Sequence, residues 1–141
     1  MCAAFESLGK QLRPGKPIGV WRANGLQWIL WGGFARAERM HWWKEKGFLP
    51  VDVPASRFAE RSRRDGRLHW ADVPAGLVIR GLWDTNHAIP QVLIVTRSAT
   101  VMEQFSFGHD RMPLLENPLY SSNPISPDPA VDGKPKQMDL F

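Results

Sequence analysis

The sequence predicts an α+β domain with a mostly antiparallel sheet and two helices packed on it. Short runs rich in Val, Ile and Trp recur between Gly and Pro residues, a pattern typical of strands bounded by turns. Two further stretches have the start and stop residues of helices. The 141 residues are enough for one domain with one core.

The elements follow in order along the chain. Strands are predicted over residues 18–21, 26–31, 77–83 and 91–96. A helix is predicted over residues 34–46, which hold strong helix formers and stop at Gly47. A second helix is predicted over residues 99–105, after a Thr/Ser start. Residues 62–66 form a polar turn between two further strand candidates. The longest apolar runs are far too short to span a bilayer, so no membrane segment is expected.

Composition divides the chain into a domain over residues 1–116 and an extended, Pro-rich tail over residues 117–141. The whole chain holds 18 basic and 14 acidic residues, of which residues 121–141 supply two lysines and three aspartates. The remainder therefore carries a net charge of +5. Its arginines, interleaved with tryptophans, suit a surface that binds nucleic acid. A tryptophan core under solvated arginines is the alternative interpretation.

The number and positions of the cysteine and histidine residues predict a reducing cellular compartment and no metal site. Cys2 is the single cysteine, so no internal disulfide can form. No charged segment followed by an apolar run opens the chain, and we expect a reducing, cytoplasmic location. The four histidines are scattered, and neither a Cys-x-x-Cys pattern nor a Gly-rich phosphate loop is present. We expect a monomer without metal or cofactor.

Cys2 is the first candidate for chemistry. Methionine aminopeptidase removes Met1 when the next side chain is small, as that of cysteine is. Ordinary pKa values of ~8 for an α-amine and ~8.5 for a thiol leave both groups partly nucleophilic at neutral pH. Such a 1,2-aminothiol condenses with an aldehyde to an imine and then closes to a thiazolidine ring. A small apolar residue near a terminus is the alternative interpretation.

Several short motifs resemble, in order, those of the SRAP family, the SOS-response-associated peptidases that protect abasic sites. The most specific is His109-Asp110-Arg111-Met112-Pro113, which reproduces the family's His-x-Arg-Met-Pro. The others are Met1-Cys2 with Phe5, residues 13–22, Trp31-Gly32, Ala35-Arg36-Ala37-Glu38, residues 54–60, Gly81-Leu82-Trp83, and Thr96 with Ala99. The resemblance covers residues 1–116 and implies a single SRAP-like domain with a barrel-like sheet.

The resemblance also implies a catalytic set. Cys2 is the nucleophile, which attacks the ring-opened aldehyde of an abasic site in single-stranded DNA and stays attached to it. Glu60 stands at the family's catalytic glutamate, which takes and relays the proton of the α-amine. His109 stands at the catalytic histidine, which protonates the sugar ring oxygen. A solvated glutamate and a turn-capping histidine are the alternatives.

Arginines and tryptophans complete the predicted DNA site. Arg36 and Arg111 match family arginines that grip the phosphates beside the abasic nucleotide, although a surface ion pair is the alternative for both. Trp42 and Trp43 are candidates to stack bases. As neighbours on a helix they point roughly 100° apart, which favours the exposure of one of them. Trp31 is expected in the core.

The sequence departs from the family pattern at two positions of the predicted pocket. Ala4 stands where an arginine is usual, and Phe34 stands where an asparagine is usual. These departures and shortened linkers indicate a short, divergent member, of a size that suits a phage or mobile element. The leading hypothesis is crosslinking to abasic sites through Cys2. One alternative is a non-catalytic protein that binds DNA or a sliding clamp, and another is a thiol peptidase that removes only its own leader residue.

The last five residues resemble the pentapeptide by which bacterial polymerases and repair proteins bind the sliding clamp. By that resemblance Leu140 and Phe141 fill one apolar pocket, while Met138 fills a shallower one. Gln137 hydrogen-bonds at the rim. The Pro-rich tail gives this peptide reach without a fixed orientation. A frayed apolar terminus is the alternative interpretation.

Overall fold

Strands dominate the computed structural model, which describes residues 2–120 of the chain. In chain order the strands are β1 (Cys2–Ser7), β2 (Lys10–Leu12), β3 (Pro17–Arg22), β4 (Gly25–Arg36), β5 (Leu49–Val53), β6 (Arg57–Arg61), β7 (Leu68–Asp72), β8 (Val78–Asp84), β9 (Gln91–Ser98), β10 (Arg111–Pro113) and β11 (Leu115–Glu116). The helical elements are a 3-10 turn (Ala37–Arg39), α1 (Met40–Glu45) and α2 (Val101–Phe107). For the described residues, the predicted α+β class is confirmed.

The strands form two sheets. The smaller sheet has the order β2-β1-β6-β7, and all of its pairings are antiparallel. The larger sheet has the order β10-β9-β4-β3-β5-β8-β11. Strand β9 pairs with β8 along its first residues, with β10 along its last residues and with β4 in parallel. The pairings therefore run from β9 through β4, β3, β5 and β8 back to β9.

One buried cluster joins the two sheets. Phe5 of β1 and Phe58 of β6 belong to the same cluster as Trp31 of β4 and Ile79 of β8. The ring centroids of Phe5 and Trp31 are 4.9 Å apart. Trp31 is fully buried, as predicted. Because burial of each large apolar side chain contributes about 1.5–3 kcal/mol, these contacts hold β1 and β6 against the larger sheet.

The predicted helix over residues 34–46 is wrong at its start. Residues 34–36 continue β4 and pair with β9, with Phe34 opposite Ile94 and Arg36 opposite Thr96. The α-helix itself begins only at Met40, after the 3-10 turn. Pairing of residues 34–36 with residues 94–96 of β9 stabilises the extended form more than local helix propensity opposes it. The predicted stop is confirmed, because Gly47 adopts a φ of +90°, which favours glycine.

Helix α2 begins and ends at clear local signals. The Thr100 side chain accepts the backbone N–H of Glu103, whose carboxylate accepts the backbone N–H of Thr100 in return. The helix ends at Gly108, which has a left-handed φ of 67°. Neither helix within residues 2–120 is long and apolar enough to cross a membrane.

Residues 117–120 are fixed to the larger sheet by a buried ion pair. Arg80 Nη1 lies 2.8 Å from Asp52 Oδ1, and both side chains are almost fully buried. The Asp52 carboxylate also accepts the backbone N–H groups of Leu119 and Tyr120. Arg80 Nη2 donates to the carbonyl of Asn117 at 3.0 Å. The first residues of the predicted tail are therefore anchored, and residues 121–141 lie outside the described residues.

Gly81 provides a test of the packing between β5, β8 and β9. A Cβ atom at Gly81 would lie 2.9 Å from methyl carbons of Val53 and Val92 and 3.1 Å from one of Val51. We expect Gly81→Ala to destabilise the fold by about 1–3 kcal/mol through overpacking, measured by urea denaturation. Gly33→Ala is the matched control, because its Cβ would meet one carbon at an ordinary 3.5 Å. Equal stability of the two variants would contradict the predicted packing.

Candidate functional site

The pairing of β1 with β6 places Cys2 opposite Glu60. The register runs from Cys2↔Glu60 to Ala4↔Ala59, so a β-bulge lies at the start of β1. Opposed residues of an antiparallel pair share one face of the sheet, with Cβ atoms roughly 4.5–5.5 Å apart. Both the Cys2 and the Glu60 side chains are fully buried. The fold therefore brings together two predicted site residues that are far apart in sequence.

Burial changes the proton chemistry of this pair. It raises the pKa of the Glu60 carboxyl to about 7, because a low-dielectric environment disfavours the charged form. Burial also raises the pKa of the Cys2 thiol, and the charge of Glu60 raises it further. The thiol is therefore protonated at neutral pH, and its Sγ donates to the Ala4 carbonyl at 3.4 Å. Glu60 changes its charge near neutral pH, so it can both accept and return a proton.

His109 lies in the turn between α2 and β10. Its Nδ1 accepts the backbone N–H of Arg111 at 3.1 Å, a bond that assigns the proton of the neutral ring to Nε2. Burial lowers the pKa of His109, and the charge of Arg63 lowers it further, while Asp110 opposes the shift. The imidazole is therefore mostly neutral at pH 7, with Nε2–H as its donor.

A surface cleft with a volume of about 230 Å³ includes His109 in its wall. Its lining residues are Arg63, Arg64, Gln104, Gly108, His109 and Asp110. The backbone N–H of Arg63 donates to the Gly108 carbonyl at 2.9 Å, which fixes the loop after β6 to the turn that carries His109. Strand β6 thus connects the buried Cys2–Glu60 pair to the cleft.

His69 is a neighbour of this site that the sequence did not single out. It lies opposite Glu60 across the β6–β7 pairing, so Cys2, Glu60 and His69 form one row across three strands. Its Nε2 is 3.1 Å from an Asp65 carboxylate oxygen, and a third of its side chain is exposed. A hairpin centred on the predicted polar turn, residues 62–66, places residue 69 opposite residue 60. This register is the sequence signal that could have identified His69.

The two predicted phosphate-binding arginines have different environments. Arg111 is buried, and its guanidinium donates to both carboxylate oxygens of Glu38 and to the backbone carbonyl of Thr96. These bonds hold the pKa of Glu38 down at about 2. Arg36 is exposed at the end of β4, next to the 3-10 turn. A phosphate at Arg111 would compete with Glu38, and phosphate contact by either arginine stays a prediction.

Trp42 and Trp43 differ in exposure. The Trp42 side chain is 39% exposed, with the Arg39 guanidinium 4.8 Å and the Lys46 ammonium 5.5 Å from its ring. Trp43 is half-buried and contacts Phe48 edge-on, with ring centroids 4.8 Å apart. Of the two, Trp42 is thus the one more available to a base, and stacking stays a prediction.

The two departures from the family pattern are both part of the packed body. Ala4 is fully buried in β1. Phe34 is half-buried and contacts Trp31 edge-on, with ring centroids 5.8 Å apart. Neither side chain can donate a hydrogen bond to a sugar or a phosphate, so other groups must supply those contacts in any DNA site.

Two other predictions concern metals and the tail. Within residues 2–120, no group of three or more His, Cys, Asp or Glu side chains could hold a metal ion. The predicted clamp-binding residues Gln137, Met138, Leu140 and Phe141 lie outside the described residues.

In comparisons with known proteins, no family model, no curated protein and no solved structure matches this chain.

Glu60→Gln tests the burial of the carboxyl through the pH dependence of stability. The pKa of Glu60 is raised from 4.5 to about 7 on folding, so the folded protein holds a proton that the unfolded chain has lost between these values. Stability therefore falls as the pH rises through this window and is level above it. Glu60→Gln removes this pH-dependent loss of stability, because glutamine does not titrate. We expect it to be the more stable protein at about pH 8, by up to about 3 kcal/mol, and equal to wild type at about pH 4.

Urea denaturation at several pH values measures this difference. Glu45→Gln is the control, because the Glu45 side chain is 62% exposed. A constant difference between Glu60→Gln and wild type at all pH values would contradict the raised pKa.

Proposed function

We propose that this protein forms a covalent crosslink with abasic sites in single-stranded DNA through Cys2 after removal of Met1. The observation that carries the proposal is the pairing of Cys2 with the buried Glu60, whose pKa is about 7. A carboxyl that titrates near neutral pH beside the future α-amine is suited to imine chemistry. The motifs shared with the SRAP family support the same reaction and an SRAP-like, barrel-like fold.

The proposed reaction begins with hydrolysis of the Met1–Cys2 peptide bond, which consumes one water and frees the α-amine. Glu60 accepts a proton from the ammonium, and the amine nitrogen attacks the aldehyde carbon. The resulting carbinolamine loses its hydroxyl as water after Glu60 returns the proton to it, and Glu60 then accepts the N–H proton of the iminium ion, so that a neutral imine forms. The thiol sulfur then adds to the imine carbon while its proton passes to the nitrogen. The net condensation of aldehyde and aminothiol yields a thiazolidine and one water.

His109 is proposed to supply the aldehyde. An abasic sugar is mainly a closed ring, and opening it requires a proton on the ring oxygen while the anomeric hydroxyl loses one. The imidazolium of His109 is the proposed donor from the wall of the cleft. Because burial lowers the pKa of His109, the donating imidazolium is lost at a lower pH than for an ordinary histidine, whereas the free amine increases with pH. A bell-shaped pH dependence of crosslinking follows.

The proposed DNA contacts extend this site outward. The net charge of +5 over residues 1–120 attracts the phosphate backbone. Arg36 and Trp42 are exposed and near each other in sequence, so they are the members of the predicted DNA-binding set best suited to a strand. Arg111 and Trp43 complete that set.

We propose that the protein acts as a cytoplasmic monomer.

The alternative is a non-catalytic DNA-binding or clamp-binding accessory protein. The observation that favours it is Phe34, whose ring contacts Trp31 where the family has an asparagine. A pocket that lacks this polar group has one donor fewer for the sugar or the amine.

A denaturing gel with single-stranded DNA that carries one abasic site tests the proposal. We expect a shifted covalent band from wild type and none from Cys2→Ala. Loss of a general acid or base costs typically 10²–10⁴-fold, so Glu60→Gln and His109→Gln should slow the band by about that much. His41→Gln, on α1 with a side chain that is 90% exposed, is the matched control. A persistent band with Cys2→Ala, or none from protein whose mass shows a terminal Cys2, would contradict the proposal.

A pull-down with the bacterial sliding clamp tests the proposed role of the tail. We expect the double substitution Leu140→Ala and Phe141→Ala to abolish capture, because these side chains would fill the main apolar pocket. Asp139→Ala is the control, since its position in the resembled pentapeptide accepts any residue. Capture unchanged by the double substitution would refute the clamp hypothesis.

A further inference from the structure

The loop between β6 and β7 presents arginines beside the C-terminal end of α2. Arg64 donates from Nη1 to the Gln104 carbonyl at 3.2 Å and from Nη2 to the Phe105 carbonyl at 2.5 Å. Its guanidinium carbon also lies 6.0 Å from the centre of the Phe105 ring. Arg63 is 66% exposed and lies 3.3 Å from Asp110. Arg61 and Arg67 flank the same loop and are exposed, so positive charge is concentrated there.

Helix α2 adds an exposed apolar surface next to these arginines. Phe105 is 76% exposed, Met102 is 73% exposed and Val101 is 81% exposed. The opposite side of the helix is packed, because the Phe107 ring stacks on Phe58 with centroids 6.0 Å apart. An aromatic ring held at the surface beside a guanidinium is a platform on which an unpaired base can stack.

The cleft that includes His109 lies between these two features. Arg63 and Arg64 of the loop and Gln104 of α2 line it together with His109. A strand that crossed from the Phe105 ring to His109 would pass along both arginines. The cleft thus contains His109 of the proposed reaction site, and Arg64 in its wall lies next to the exposed Phe105 ring.

We propose that Arg63, Arg64 and Phe105 form a binding surface for single-stranded DNA beside the abasic site. A base stacks on Phe105, and a neighbouring phosphate binds Arg63 in place of Asp110. The proposal rests on the proposed function for the identity of the strand, and it assigns residues outside the set predicted from sequence. The Arg63–Asp110 pair is exposed and of small energetic value, so a phosphate displaces Asp110 at little cost.

Charge and shape favour a single strand over the alternatives. The loop and its flanks hold four arginines and one aspartate, Asp65, while Asp110 lies beside Arg63, so the excess of positive charge complements a phosphate backbone. Base pairing in a duplex hides the base faces, so duplex DNA cannot use the Phe105 ring. A protein partner would use the apolar area of α2 but would not require an aromatic ring.

Fluorescence anisotropy with an undamaged single-stranded oligonucleotide tests the surface. All proteins carry Cys2→Ala, so that no covalent step contributes. Stacking is worth about 1–3 kcal/mol per base, so Phe105→Ala and Phe105→Leu should each weaken binding by roughly 5- to 150-fold. Arg63→Ser should weaken binding severalfold and reduce the slope of log affinity against log salt by about 0.7. Arg13→Ser, an exposed arginine between β2 and β3, is the charge-matched control and should change affinity less than twofold.

The Phe105→Leu variant distinguishes base stacking from a simple apolar contact. Wild-type affinity in Phe105→Leu would show that an apolar contact suffices and would overturn base stacking. Equal weakening by Arg13→Ser and Arg63→Ser would overturn the phosphate site and leave only a general charge effect. Tighter binding of duplex than of single-stranded DNA would overturn the assigned ligand. Because Phe105→Leu keeps an exposed apolar residue in α2, unfolding does not obscure the result, and thermal denaturation checks this.

Crosslinking assays with Cys2 restored distinguish failure of this surface from failure of the proposed function. If the protein forms the crosslink but DNA does not bind at Phe105, the Phe105 variants form the covalent band at wild-type DNA concentrations. If the surface is right but the crosslink is wrong, the oligonucleotide binds in a Phe105-dependent manner and no band forms. With both right, the Phe105 variants need roughly 5- to 150-fold more DNA for the same band.

Discussion

The burial of the Glu60 carboxyl beside Cys2 is the constraint on which the candidate site depends. An ionised carboxylate is costly in a low-dielectric interior, so this group holds its proton up to about pH 7. The strand pairing that imposes the burial is itself held by Phe5 against Trp31 and by Phe58 against Phe107. The apolar core therefore stabilises a position that is unfavourable for a charge. Such perturbed groups are concentrated at functional sites, and this one supports the assignment of Glu60 to proton transfer.

The pKa values of Glu60 and His109 are shifted in opposite directions from their ordinary values. Burial raises the pKa of the carboxyl to about 7 and lowers the pKa of the imidazole, so the carboxyl holds its proton to a higher pH than the imidazolium does. In the proposed reaction the carboxyl serves the amine, and the imidazole serves the sugar. The thiol is protonated and enters last, when the imine has already formed. Glu60 lies in β6, and His109 lies in the turn that is hydrogen-bonded to the loop after β6. This arrangement of two proton-transfer groups suits a reaction that needs several proton transfers in one place.

The strands were predictable because their apolar runs and turn residues are local signals. The start of the first helix was not, because residues 34–36 pair with a distant strand, β9, that overrides their helix propensity. Cys2 and Glu60 were predicted as site residues from their motifs, but their burial depends on how the smaller sheet packs. The same limit applies to Arg111, whose bonding to Glu38 was not visible in sequence, and to Phe105, whose exposure depends on which face of α2 is packed.

The most direct measurement is the intact mass of the adduct between the protein and a short oligonucleotide with one abasic site, before and after treatment with borohydride. A thiazolidine at Cys2 predicts the mass of the chain without Met1 plus the oligonucleotide minus one water, unchanged by borohydride because no imine remains. An adduct that retains Met1, or one that gains two hydrogens on reduction, would contradict the aminothiol reaction. The first would place the bond on another residue, and the second would show an imine that the thiol never closes.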